Sequence, residues 1–174
     1  MQNLSPVQQR FVLHWGEMGA RWGLNRTVAQ VHALLYLSEA PLSADVICET
    51  LGVARSNVSN SLRELQNWGV VRVVHLPGDR RDHFDTTKDV WELFRQVLAV
   101  RKQREMDPTV EVLRECAAEA EKAGPREAYT RERIEAMAGF FETMSGWYDR
   151  IDELPTPAVI KFVRLGDKLR KLVA

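Results

Sequence analysis

The stretch "LGVARSNVSNSLRELQNWG", Leu51–Gly69, decides how the rest of the chain is read. At 100° per residue, Val58, Leu62 and Leu65 fall within about 60° of one another, so a helix here has a narrow apolar stripe and a broad polar face. That face carries Ser56, Ser59, Asn60, Arg63 and Asn67, with Glu64 as its only carboxylate. The face is rich in hydrogen-bonding groups and poor in acid.

Working outward, Ser43 is placed to cap a helix over Ala44–Leu51 whose inward residues are Ile47, Cys48 and Leu51. Gly52 supplies the backbone freedom for a tight turn, which makes the pair a helix-turn-helix. Downstream, "VVRVVHL" is β-branched and short, "PGD" is turn chemistry and "RRDHFDT" returns, a hairpin with arginines at its tip. A hairpin in that place is a wing.

Helical periods fill the rest. Ser5–Pro6 opens a helix with Val7, Phe11, Trp15 and Met18 at helical spacing, and Asn25 caps another over Arg26–Ser38 with Val28, Val31, Leu34 and Leu35 inward. Val90, Leu93, Phe94, Val97, Leu98 and Arg101 lie on a long helix to about Met106, after which Asp107 and Pro108 restart one that Gly124 and Pro125 close. Thr130 caps a helix over Arg131–Leu154 in which Ile134, Met137, Phe141, Met144, Tyr148 and Ile151 form a packed seam. The last helix, Ala158–Val173, carries Lys161, Arg164, Lys168, Arg170 and Lys171 against Asp167. The expected fold is mainly α with a small β-hairpin wing: an N-terminal dimerisation helix over 1–24, a winged helix-turn-helix over 25–87, and a helical dimerisation and effector region over 88–174. The apolar surface left over by these helices is the reason to expect a homodimer.

Composition bounds the function. The 174 residues are 45% hydrophobic and carry no formal net charge, so a polyanionic partner has to be met locally. Gly52–Arg81 holds five arginines, Arg55, Arg63, Arg72, Arg80 and Arg81, against Glu64 and Asp79, whereas Glu105–Glu153 holds thirteen acids against six bases. Screening over roughly 10 Å lets such a local patch act independently of the distant acids. Met1–Arg10 has neither a basic start nor an apolar run, and no stretch is long enough to span a bilayer, so a cytoplasmic protein is expected. Cys48 and Cys116 form no paired motif, and His14, His32, His75 and His83 have no metal-ligand spacing, so neither a metal nor another cofactor is expected. Nothing in the chain has the pattern of a nucleophile elbow, a phosphate loop or a carboxylate pair, which speaks against an enzyme.

The polar helix fits a duplex partner. A major groove about 12 Å wide admits one α-helix and presents a donor–acceptor pattern that separates all four base pairs. Asn57 and Asn60 suit an adenine edge, Arg63 a guanine or a phosphate, Ser56 and Ser59 bases or backbone, and Arg55 a phosphate near the helix start. Arg80 and Arg81 at the wing tip suit a minor groove or its phosphates, with Asp79 orienting an arginine. The competing reading is a winged-helix module that meets another protein and binds no DNA.

"PLSADVICETLGVARSNVSNSLRELQNWGVV" followed by "GDRRDHFDTTKDVW" resembles the winged helix-turn-helix of MarR-type transcriptional regulators, including the Asp-x-Arg wing motif at Asp79 and Arg81. "TKDVWELFRQVLAVRKQREMDPT" is similar to the GbsR branch, whose characterised members repress genes for choline uptake and glycine betaine synthesis. The resemblance covers roughly Gly23–Thr109 and implies a dimeric, DNA-binding repressor. It departs at Ala54, where such proteins usually carry a serine cap. It also brings in choline or a related small molecule as an effector. Phe140, Phe141, Trp147 and Tyr148 on neighbouring turns could then cage a quaternary ammonium, or serve as ordinary helix-seam core.

Overall fold

A computed structural model of the protein describes residues 3–165. They form two compact units, one running to Gln96 and one starting at Val97.

The first unit opens with α1, Pro6–Arg21, started by a capping box: the Gln8 N–H donates to Ser5 Oγ, and the Ser5 N–H donates to Gln8 Oε1 at 2.9 Å. Helix α2, Arg26–Leu37, is capped by Asn25, whose Oδ1 accepts from the Thr27 N–H at 2.8 Å. The face α1 turns to its neighbour is Val12, Gly16 and Gly19. A Cβ on Gly16 would stand 2.6 Å from Gln30 Cγ, and one on Gly19 would stand 2.5 Å from Ala29 Cβ, so both glycines serve close helix approach. Away from that contact Val7 is 78% exposed and Trp22 55%, with Phe11 stacked on Trp15 at 5.6 Å.

Helices α3, Ala44–Leu51, and α4, Arg55–Asn67, meet across Gly52, which sits in the left-handed region at φ 67°, ψ 37°. Ser43 caps α3 through the Val46 N–H. Val31, Leu35, Ile47, Val58 and Leu62 pack the core that α2, α3 and α4 share, each at most 2% exposed and each contributing about 1.5–3 kcal/mol by leaving water. Cys48, expected inward, is only half-buried, whereas Ser61 joins the buried stripe of α4.

The wing is β2, Val71–His75, against β3, Asp82–Thr86, antiparallel with Val73 opposite Phe84. A third strand, β1, Leu42–Ser43, lies on the other side of β3 with Leu42 opposite Phe84. Two residues are too short to show a strand period, so the hairpin was legible in the sequence and the three-stranded sheet was not. Its base is tied down by Thr86, whose hydroxyl donates to the Val70 carbonyl at 2.6 Å and lies 3.4 Å from His32 Nε2 of α2.

Helix α5, Val90–Arg101, begins near the end of this unit. In the second unit it passes through a π turn, Lys102–Met106, into α6, Asp107–Ala123. The break expected at Asp107–Pro108 is therefore a continuation: the wider turn relieves the clash between the Pro108 ring and the preceding turn. Lys102 fixes this joint, with Nζ at 3.0 Å from Asp107 Oδ1 and 3.3 Å from Asp149 Oδ1, and the Asp107 hydrogen bond raises its pKa.

A short 3-10 turn, Gly124–Glu127, reverses the chain into α7, Ala128–Asp152, antiparallel to α6. Arg114 of α6 reaches Glu142 of α7 at 2.7 Å. Thr130 lies inside α7 rather than capping it, because the 3-10 turn already delivers the chain in helical conformation and Glu127 occupies the cap position. Helix α8 is Thr156–Arg164. The continuation expected through Val173, with Lys168, Arg170 and Lys171, lies outside the described residues.

The seam expected on α7 resolves into two. Ile134, Phe141, Ser145 and Tyr148 are half-buried around Ala138, which is 8% exposed. Met137 and Met144, expected with them, instead line an outer seam with Phe140 and Trp147. Two spacings of three and four run side by side on one helix, and the sequence alone does not say which faces α6.

Candidate nucleic-acid interface

Helix α4 starts without a side-chain cap: Ala54 holds the extended cap conformation, φ −63° and ψ 146°, but has no oxygen to offer. Its first turn therefore presents backbone N–H groups and the positive end of the helix dipole, with Arg55 beside them. The Arg55 guanidinium pairs with Asp45 in the first turn of α3, bridging the two helices.

The residues expected on one polar face divide into two flanks. Arg55, Ser59, Arg63 and Gln66 line a groove of about 360 Å³ that Arg81 and Asp82 of the wing complete from the other side. Asn57, Asn60 and Glu64 border a smaller depression of about 170 Å³ with Asn25 and Thr27 at the start of α2. Ser56 and Asn67 are exposed, Ser59 half-exposed. Arg63 Nη1 donates to Asn60 Oδ1 at 3.5 Å, a long contact that links the flanks.

The wing turn is organised by Asp79. Its carboxylate accepts from the Arg81 backbone N–H at 3.0 Å, from Arg81 Nε at 2.9 Å and from Arg81 Nη2 at 2.5 Å. These bonds hold the Asp79 carboxyl far below the ordinary carboxylate range and raise the Arg81 pKa. His83, buried, lies 3.5 Å from Asp79 Oδ2 through Nε2 and 3.0 Å from the Arg81 carbonyl through Nδ1. Arg80 is exposed. Arg72 is drawn off along the sheet to Asp85 at 2.9 Å.

Sequence reading missed two participants. Gln66 lies seven residues beyond Ser59 and so on the same flank, a signal that was present. Asp45 stands ten residues before Arg55 on another helix, a pairing with no sequence period. The proposed cage residues lie in the second unit: Phe141 and Tyr148 are half-buried, Phe140 is 59% exposed and Trp147 45%, and Phe140 meets Phe141 edge-on at 5.6 Å. Among the described residues no cluster of three metal-ligating side chains occurs, and no helix is long and apolar enough to cross a membrane.

Residues 22–82 match the model of the MarR family. Over 154 residues the chain is 23% identical to the HTH-type transcriptional repressor GbsR of Bacillus subtilis (strain 168), spanning 84% of this chain and 85% of that one. It is 20% identical over 133 residues to the HTH-type transcriptional repressor OpcR of the same organism, spanning 76% and 72%. The crystal structure of a transcriptional regulator superposes with a TM-score of 0.58 at 18% identity, covering 83% of this chain and 99% of that one, a likeness of fold.

Proposed function

We propose that the chain, whose residues 22–82 match the MarR family model, is a transcriptional regulator of that family and works as a homodimeric, sequence-specific repressor on duplex DNA. The observation that carries this reading is the groove in which Arg55 and Arg63 of α4 meet Arg81 of the wing. Three cations on two elements, set around a helix of short polar side chains, suit phosphates flanking a major groove. Arg55, Ser56, Asn57, Ser59, Asn60 and Arg63 are the proposed contacts of α4, and Arg80 and Arg81 those of the wing. Asp79 positions Arg81 in advance, so less side-chain freedom is lost on binding.

Selection of binding sites from random duplexes tests this, with an enriched inverted repeat as the expected result. If three arginines per subunit meet phosphate, log affinity falls with log salt at a slope of about −5, and Arg63→Ala reduces that slope by about 2 per dimer. A slope near zero, with no enriched site, would favour a protein partner instead. For an effector of the choline type, Phe141 and Tyr148 stand on the half-buried row of α7 and Phe140 and Trp147 on the exposed row, which supports their use as helix seam ahead of cage. Isothermal titration with choline separates the two uses, because a cage gives heat below millimolar ligand.

A further inference from the structure

We propose that His83 is a positioning residue of the wing, and that its doubly protonated ring is the form in which the wing grips DNA; this rests on the duplex reading above and deepens it. A strand with one covered face alternates in burial, but β3 buries His83 and Phe84 in succession, at 6% and 9% exposure. The wing turn supplies the second cover. Its Arg81 carbonyl lies 3.0 Å from His83 Nδ1, and its Asp79 carboxylate lies 3.5 Å from Nε2. Both are acceptors. A neutral imidazole has one N–H, so it serves one of them and turns a lone pair toward the other, whereas an imidazolium donates to both.

Charge at the tip gives this bridge its consequence. Asp79, Arg80, Arg81 and Asp82 are two acids and two bases in a row, and their charges cancel. The proton on His83 therefore decides whether the tip meets a phosphate as a cation. Asp79 repels a phosphate that approaches Arg81, because both are anions. An imidazolium shares the charge of that carboxylate and leaves the N–H groups of Arg81 that Asp79 does not hold for the duplex. Asp79, kept far below the ordinary carboxylate range chiefly by the hydrogen bonds of Arg81, stays ionised throughout.

The other charged groups on the elements around β3 are engaged elsewhere. Directly opposite His83 stand Val74 of β2 and Ser43 of β1, both uncharged. Farther along the same face Arg72 of β2 pairs with Asp85 at 2.9 Å, and Lys88 reaches that carboxylate at 3.4 Å. His75 of β2 faces Asp82 at 3.8 Å, Asp45 of α3 pairs with Arg55, and His32 of α2 lies against Thr86. The carboxylate that stands against the His83 ring is Asp79.

The test uses the whole chain and two readouts, at about pH 6 and about pH 8, either side of the range in which histidines change charge. Nitrogen NMR of the free protein is expected to show both His83 ring nitrogens protonated at the lower pH and one at the higher. At constant salt, affinity for the selected duplex is expected to fall about tenfold over the same span, because the bound form holds the extra proton. His83→Gln carries no charge at either pH. It is expected to bind as the wild type does at the higher pH and to change less than about threefold between the two. His75→Gln, at an exposed ring of the same hairpin, is expected to keep the wild-type fall. In an Asp79→Asn background, His83→Gln is expected to add no further loss. A singly protonated ring at the lower pH, the same pH dependence in wild type and His83→Gln, disappearance of the fall in His75→Gln, or a full further loss in the Asp79→Asn background would each overturn the proposal. The ring spectra need no DNA: a doubly protonated, bridged ring in a chain that binds no duplex at either pH sinks the duplex reading, and the grip with it, while the bridge stands.

Discussion

The two units solve opposite problems with the same kind of helix. In the first, α4 turns Val58, Leu62 and Leu65 inward against α2 and α3 and leaves a polar flank outside. In the second, α7 buries Ala138 while Phe140 and Trp147 stay open. Hydrophobic burial closes around α2, α3 and α4, whereas α1, with Val7 and Trp22, and α7, with Phe140 and Trp147, leave apolar side chains open. The polar flank of α4 and the apolar outer row of α7 are the two exposed helix faces that differ most.

The contrast is most exposed to truncation of core side chains. Ile47→Ala removes a side chain that is 0% exposed and is expected to cost about 2–5 kcal/mol of unfolding free energy in denaturant titrations. Met137→Ala, at a site 52% exposed, is expected to change stability by about 0.5 kcal/mol or less. Equal losses in dilute protein would break the comparison.

Legibility followed the same division. Ser5, Asn25 and Ser43 as caps and Gly52 as the turn marked the helix bounds, and the inward residues of α2 and α4 followed from spacing, whereas α1 turns Val12, Gly16 and Gly19 inward in place of the Val7, Phe11, Trp15 and Met18 row and Cys48 of α3 is half-buried. The site was legible as residue types but not as an arrangement, because the split into a wing-side flank of Arg55, Ser59, Arg63 and Gln66 and an α2-side flank of Asn57, Asn60 and Glu64 depends on where other elements lie. In the second unit Pro108 looked like a break because a proline cannot donate, while the π turn that accommodates it leaves no sequence mark. Two interleaved seams on α7 gave one helical signal. Choosing between them requires knowing the neighbour.

Protonation sharpens the contrast next, at the joint between α2 and the wing base. Burial, and secondarily the charge of Lys88, lower the His32 pKa to about 4. The ring stays neutral in the fold while the unfolded chain takes up a proton below pH 6.5, so its contribution is fully present above 6.5 and is lost as pH falls toward 4. The full span is up to about 3 kcal/mol. Melting curves from pH 7 to pH 4 are expected to fall more steeply for the wild type than for His32→Gln. Parallel curves would mean that His32 is hydrated in the fold.

The smallest expected effect separates the two units at their helix starts. Ala54 already has the extended backbone a cap requires, and its helix lacks the cap bond, so Ala54→Ser places a hydroxyl where the N–H groups of Ser56 and Asn57 lie within its reach. A gain of about 1 kcal/mol, or roughly 2–4 °C in melting temperature, is expected. Glu127 also stands at an uncapped helix start, but at φ −105° and ψ 13° on the end of a 3-10 turn. Glu127→Ser cannot aim its hydroxyl back along α7 from that conformation and is expected to leave the melting temperature unchanged. The same substitution type then succeeds only where the backbone has prepared for it, and an equal gain at both positions would show that the first unit's helix start is not specially arranged.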